Sequence, residues 1–420
     1  MATHQPPAQL RKRCLPAARA CADWVLRNQV TRRDDANCGR FLMQYFTRFR
    51  KGPSSVGYFP GARKRERYCY STVWNTATTA LSLLMLHRRT GKHEYWEAAR
   101  LAAGYLKTLQ IYCSSHPHHG FFREVTPQTV ESNVRDACTG GWAMLHLSRA
   151  LKDDELLDRA VAFAGWLKRH GFRNRFPARG YMLEPRPDAP GGMQAWKRKA
   201  GPTWGGFSAH GGSMNLFLEL YEATGQKTWL NDIALPALDT FIDKFMLEDG
   251  SLVVLRDLDK KLDVVGLAGQ EQHRHRYNDD FASLALIKAY KVTGDDRYRD
   301  AARRYLDWAA SVQNRDGSFG DPPVKAASAT LPIEMLDMQT VLGRPVYADA
   351  IDRAVEHLLA LQVRNHRSDK VRGAFWCLSP WVALPRTVVH LRTSSYAMAV
   401  LLKLEGAKRY PEYTATRKFG

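Results

Sequence analysis

The chain has 420 residues, with 62 Lys and Arg against 42 Asp and Glu, a formal net charge of +20 at pH 7. Its 45% hydrophobic and 11% aromatic shares are ordinary for a globular protein and allow a large core. The cationic excess suits polyanions, whether nucleic acid, an anionic membrane or an acidic polysaccharide. No paired-Cys zinc spacing, RNP-type strand or basic zipper is present, so no specific nucleic-acid partner is expected.

Cysteine usage and hydropathy narrow the class further. Cys14, Cys21, Cys38, Cys69, Cys113, Cys138 and Cys377 are scattered and odd in number, with no CxxC. That argues against a disulfide framework and fits reduced thiols. No Cys/His pair has ligand spacing, so neither a metal site nor a cofactor is expected. The first residues lack an uninterrupted apolar h-region, and no uncharged stretch reaches membrane-spanning length. These features predict a soluble, cytoplasmic protein.

In chain order, the apolar periodicity predicts outer and inner helices in alternation. An outer helix over about 10–29 leads to an inner one over 72–89. The pairs continue as 93–112 with 133–150, 153–170 with 207–224, 227–247 with 278–293, 296–314 with 325–341, and 346–363 with 391–405. One phrase marks the passage from each inner helix to the next outer one, as in "LHRRTGKHEYWEAARLAAGYLKTLQ" from Leu86 and "AYKVTGDDRYRDAARRYLDWAASVQ" from Ala289. Gly91, Gly225, Gly294 and Gly343 suit the left-handed position after a helix end. The inner segments, such as TATTALSLLML and SMNLFLELY, are apolar nearly all round and therefore buried.

Twelve helices in six pairs, with no alternating sheet, resemble the (α/α)6 toroid of carbohydrate-active enzymes, as one all-α domain over 1–420 with short flexible termini. The resemblance implies inner helices lining the middle and outer helices shielding them. The long outer-to-inner connections (30–71, 113–132, 171–206, 248–277, 315–324 and 364–390) hold most of the Trp, His, Arg and Pro. Function is therefore expected at the N-terminal ends of the inner helices, where helix dipoles also favour anionic groups.

Each inner-helix opening carries candidates. "YCYSTVWNTATTA" brings Tyr70, Trp74 and Asn75, whose ring faces and amide suit a sugar. "ESNVRDACTGGWAMLHL" brings Arg135 and Asp136, flanked by Glu131 and Asn133. "GPTWGGFSAHGGSMNL" brings Trp204 and His210, and "PRTVVHLRTSSYAMAV" brings Arg386, His390 and Arg392, where an Arg could grip a carboxylate. "HRHRYNDDFASLAL" is the densest, with His273, His275, Tyr277, Asn278, Asp279 and Asp280 before an apolar helix. Capping is the competing role for either Asp, though both cannot occupy one N-cap. This phrase resembles the inner-helix opening of toroidal glycoside hydrolases, especially the paired Asp of α-1,6-mannanase-like hydrolases, with Phe281 where those usually place a Trp. The resemblance implies catalytic roles for Asp279 and Asp280, and a likeness to the unsaturated uronyl hydrolases implies one for Asp136, for which pairing with Arg135 or capping is the competing role.

The expected function is hydrolysis of an acidic, uronic-acid-containing oligo- or polysaccharide by a carboxylate pair. The basic loops "GARKRERY" (61–68) and "WKRKAGPTW" (196–204) point to the same substrate. The alternative is a uronate-directed lyase or C5-epimerase, with His273, His275 or Tyr277 as base. A non-catalytic glycan-binding toroid is a further reading. So is a terpene-cyclase-like protein, since "SVQNRDGSFG" (311–320) resembles the Gln-plus-aromatic repeat of triterpene cyclases; no DxDD motif accompanies it, and the phrase is better read as stabilising helix ends.

Overall fold

From Val73 to Leu86 every side chain is buried, Thr76, Thr78, Thr79 and Ser82 included. A helix with no solvent face must satisfy such hydroxyls internally. Thr79 donates to the Asn75 carbonyl at 2.7 Å, and Ser82 to the Thr78 and Ser395 carbonyls at 3.1 and 2.7 Å. By contrast, the helix from Ala348 to Ala360 buries only Ala350, Ile351, Ala354, Val355, Leu358 and Leu359, the single stripe expected of an outer helix. In this computed structural model the described residues are 5–47, 68–178, 180–183, 206–258, 262–263, 276–320, 323, 327–377, 386–406 and 410–415.

Twelve α-helices occur among them. The chain divides into two compact units, Met1–Leu106 with Ala309–Thr414, and Lys107–Trp308 with Ala415–Gly420. The first unit holds outer helices α1 (Ala8–Arg27), α3 (His93–Thr108, as far as Leu106) and α11 (Ala348–Ala360). Its inner helices are α2 (Val73–Thr90), α10 (Ala327–Leu342) and α12 (Leu391–Glu405). The second unit holds inner helices α4 (Val134–Leu151), α6 (Met214–Thr224) and α8 (Ala282–Thr293). Its outer helices are α5 (Asp154–His170), α7 (Leu235–Phe245) and α9 (Asp296–Ser311, as far as Trp308).

The long connections carry short antiparallel ribbons that the periodicity did not suggest. In the first unit β1 (Leu42–Phe46) lies between β2 (Tyr68–Tyr70) and β10 (Val388–His390), with Gln44 opposite His390. In the second, β3 (Glu131–Asn133) pairs with β6 (Gly180–Met182), setting Ser132 opposite Tyr181. The second unit also contains the pair β4 (Phe172–Arg173) with β5 (Phe176–Pro177) and the sheet β7 (Gly206–Phe207), β8 (Leu255–Asp257) and β9 (Leu262–Asp263).

One latch recurs where outer helices end. Gln29 Nε2 donates to the Gly39 carbonyl at 3.2 Å and to the Ala98 carbonyl of the next outer helix at 2.9 Å. Gln110 does the same to Gly120 and Arg159, Gln313 to Gly317 and Ala350, and Gln362 to Gly373 and Ala17. At Gly39, φ is +94° and a Cβ would lie 2.1 Å from the Leu101 carbonyl oxygen, so only glycine lets the turn approach the neighbouring helix. Gln313 and Gly317 belong to "SVQNRDGSFG", and the phrase fastens helix ends as expected from its sequence.

Two inner-helix starts and one outer-helix interior depart from the periodicity. The third inner helix is α-helical from Met214, after a 3-10 stretch over Ser208–Ser213, rather than from 207. The fourth outer helix starts at 227 as expected but passes through π turns over Trp229–Ala234 before α geometry resumes at Leu235. Pro236 has no N–H to donate and crowds the carbonyl four residues back, which a wider turn relieves. The fourth inner helix begins at Ala282 rather than near 278, because Asp280 and Phe281 have φ of +52° and +72° and cannot continue a right-handed helix.

Candidate functional site

Asp279, Asp280 and Phe281 form a cap stacked on the start of α8. Asp279 accepts from the Phe281 and Ser283 amides at 3.2 and 2.7 Å and from Ser283 Oγ at 2.6 Å. It is therefore the residue that satisfies the first orphan donors of α8. Asn278 Oδ1 accepts from the Asp280 amide at 3.2 Å. Asn215 Nδ2 donates to the Phe281 carbonyl at 2.9 Å. At Gly212 a Cβ would lie 1.8 Å from the Asp280 carbonyl oxygen, so a glycine is needed for the backbones to meet. Two successive non-glycine residues at positive φ are costly and persist only where the surroundings over-determine them. Here Asn278, Asp279, Gly212 and Asn215 do so.

This conformation turns the Asp280 carboxylate toward α4. Arg135 Nη1 lies 3.0 Å from Asp280 Oδ2, and its Nη2 lies 2.8 Å from Asp136 Oδ1, with Nε on the same oxygen at 2.8 Å. One guanidinium thus spans two carboxylates from different inner helices. Asp136 is 6% exposed and Asp280 7%, so both charges are largely withdrawn from water. Upstream, Glu124 Oε2 accepts from the Asn133 amide at 2.8 Å and holds the strand that feeds Asp136.

The remaining candidates of this unit have different surroundings. Tyr277 is half-buried, its ring 5.3 Å from that of outer-helix Trp308. His210 is buried, with Nδ1 3.4 Å from the Pro177 carbonyl and its ring edge-on to Phe207. Trp204, His273 and His275 lie outside the described residues, as do most of the two basic loops.

In the first unit the openings of α2 and α12 come together. The Arg392 guanidinium lies over Trp74, 3.7 Å from the ring centroid, and 5.9 Å from that of Tyr396. Trp74 Nε1 donates to Tyr396 Oη at 3.0 Å, which fixes the indole. His390 is the N-cap of α12, its Nδ1 accepting from the Arg392 amide at 3.0 Å. Asn75 is buried and donates to Thr72 Oγ1 at 3.1 Å, a local helix-start bond. Tyr70 is half-buried under the Arg40 guanidinium, 5.5 Å away. Arg386 is exposed in a turn with φ +56°.

Sequence reasoning passed over a buried group on the inner helices of the second unit. Glu219 Oε1 accepts from Lys288 Nζ at 2.7 Å and from Trp142 Nε1 at 2.9 Å, while Oε2 lies 3.0 Å from His146 Nε2 and 3.8 Å from Nη1 of the partly exposed Arg149. Glu219, Lys288, Trp142 and His146 are at most 3% exposed. A Glu in SMNLFLELY and a Lys in LALIKAY, each inside an apolar run, were the available signal, since buried charges must be paired. Among the described residues no group of three or more His, Cys, Asp or Glu could hold a metal ion, and no helix is long and apolar enough to cross a membrane.

No family model and no curated protein sequence matches this chain. Solved structures do. Unsaturated glucuronyl hydrolase from Bacillus sp. GL1, responsible for glycosaminoglycan degradation, aligns over 97% of this chain and 100% of its own at 14% identity, with a TM-score of 0.68. The α-1,6-mannanase GH76A of Salegentibacter sp. HEL1_6 aligns over 93% and 99% at 12% identity and 0.59. That structure is an inactive variant with two consecutive aspartates replaced, in complex with α-1,6-mannotriose. Cellobiose 2-epimerase from Bacillus thermoamylovorans aligns over 79% and 88% at 14% identity and 0.59. At these identities the likeness shows the fold: this chain is an (α/α)6 toroid, the resemblance read from its helix pairs.

Proposed function

We propose that this toroid is a glycoside hydrolase whose reacting groups are the Asp136 and Asp280 carboxylates. The observation that carries the reading is the strained Asp280, held at positive φ and brought by Arg135 within one guanidinium's breadth of Asp136. Hydrolysis needs one protonated carboxyl for the leaving glycosidic oxygen and one carboxylate to activate water or attack the anomeric carbon. When a proton sits on one member of the pair, Arg135 remains beside the ionised other. Asp279 acts through Asp280: its oxygens cap α8 and hold the turn.

The substrate is an acidic, uronic-acid-containing oligo- or polysaccharide. Supporting this are the +20 net charge and the likeness to a glucuronyl hydrolase. Trp, Tyr and Asn side chains at the inner-helix openings suit ring faces and hydroxyls. The six described cysteines are all free, which fits a reducing, cytoplasmic setting.

Incubation of the purified chain with unsaturated glucuronyl disaccharides, saturated uronic-acid oligosaccharides and α-1,6-mannotriose, read by mass spectrometry, tests the reading. Cleavage with gain of one water, abolished in Asp280→Asn and Asp136→Asn, is expected for an acidic substrate. The likeness to an epimerase keeps a second reading in play, with Tyr277, His273 or His275 as base. New ultraviolet-absorbing ends without water uptake would assign a lyase, and solvent deuterium at C5 without cleavage an epimerase. Preference for the mannotriose would remove the acidic substrate while keeping the hydrolase.

A further inference from the structure

The buried Glu219 group lies roughly two helical turns beyond the carboxylates along α4 and α8. It joins three inner helices at one point: Trp142 and His146 on α4, Glu219 on α6 and Lys288 on α8. Lys288 Nζ also sits 5.0 Å from the centre of the Trp142 indole. The other edge of the contact reaches the site, because the Trp142 and Phe281 rings meet nearly perpendicular at 6.1 Å. Phe281 is the second of the two positive-φ residues. From above, its backbone is tied to Asp279 and Asn215; from below, its ring rests on Trp142.

We infer that Glu219 is a positioning residue for Asp280, acting through the Trp142 indole and Phe281. An apolar packing role would not need a charge here. Replacing a buried ion pair by apolar residues of similar volume is often neutral or stabilising, so stability alone is a weak reason for Glu219 and Lys288 to be present. What the carboxylate supplies is direction. Accepting the indole N–H fixes the plane of Trp142, and that plane sets where the Phe281 ring, and hence the left-handed turn carrying Asp280, can sit. The inference rests on the proposed role of Asp280 for its kinetic consequence but not for its structural one.

Two double variants separate direction from packing. Glu219→Met with Lys288→Met removes the buried ion pair and the indole's acceptor, leaving the partly exposed Arg149 to turn to solvent. Glu219→Gln with Lys288→Met removes the pair but keeps an amide oxygen for Trp142 Nε1. The melting temperature of each is expected within a few degrees of the parent. Amide exchange at residues 279–283 should be at least ten-fold faster in the Met/Met form and near parental in the Gln/Met form. With substrate, Met/Met should lose at least ten-fold in kcat at unchanged KM, and Gln/Met should regain most of it. Trp142→Phe, which keeps a ring and loses the N–H, should follow Met/Met and serves if that variant does not fold. Parental exchange at 279–283 in Met/Met, or in Trp142→Phe where Met/Met cannot be purified, overturns the inference. Faster exchange with no turnover of any glycan by the parent would leave it standing and defeat only the hydrolase reading.

Discussion

Two inner-helix openings solve the same problem in opposite ways. At α12, His390 sits at φ −139°, an ordinary extended value, and caps the helix with its own ring. Arg392 follows and lies on Trp74 without backbone strain. At α8 the cap is Asp279, and between it and the helix stand two residues that L side chains rarely adopt in that conformation. A relaxed opening would have capped α8 equally well. The difference is that α8 must also aim Asp280 at Arg135 and Asp136, and the turn accepts strain to do so. Where two openings of one repeat differ in this way, the strained one is where conformation serves a side chain.

The sharpest way to break this contrast is Asp280→Asn. Turnover should fall by about 10²–10⁴-fold, the range for loss of a positioned acid or base. Thermal stability should stay within about 1 kcal/mol, because Asn tolerates the left-handed region. A large stability loss with retained turnover would make Asp280 structural. Gly212→Ala attacks the same turn from α6. Its Cβ would lie 1.8 Å from a backbone oxygen that cannot move aside, so destabilisation of about 3 kcal/mol is expected by denaturant titration.

Capping gives a direct comparison. Asp279→Ala removes the buried acceptor for the Phe281 and Ser283 amides and Ser283 Oγ and should cost about 2 kcal/mol, whereas His390→Ala, which removes the cap on the Arg392 amide, should cost about 1 kcal/mol. Equal losses would mean that the two caps are alike. The smallest effect is pH-dependent. Burial holds His118 and His170 in one unit, and His357 in the other, below their ordinary 6.5. The unfolded chain then takes up these protons first, so their contribution is present above about pH 6.5 and fades as pH falls through the lowered values. Urea midpoints at about pH 7.5 and about pH 5.5 should show the decline, with His170→Gln reducing it; a rise on acidification would reverse the assignment.

Much of this architecture was legible because its period is strong. All twelve helices overlap the spans read from apolar spacing, the third inner one starting seven residues late at Met214, and the phrase SVQNRDGSFG proved to belong to one of four latches. The placement of Asp136 and of the Asp279–Asp280 pair at inner-helix openings was equally legible. Their division of labour was not. Which of two adjacent aspartates caps depends on left-handed angles at Asp280 and Phe281, and no propensity assigns those to an Asp-Phe pair. The ribbons were hidden because strands of two to five residues carry no period. The Glu219 group was hidden for another reason: its partners come from three segments, and only the packed helices reveal that one Glu, one Lys, one Trp and one His meet.

The latch at Gln362 has a consequence for synthesis. It reaches the Ala17 carbonyl, and α1 also packs against α12, so α1 is completed by residues made 345 or more positions later. Part of its buried face gains its native partners only once these later residues have emerged: Trp24 Nε1 donates to the Lys370 carbonyl and Cys21 Sγ to the Ser394 carbonyl. At about 5–20 residues per second, that leaves part of an apolar face waiting for tens of seconds. A chain released early would carry it still uncovered, a handle by which chaperones or proteases could distinguish finished molecules from unfinished ones.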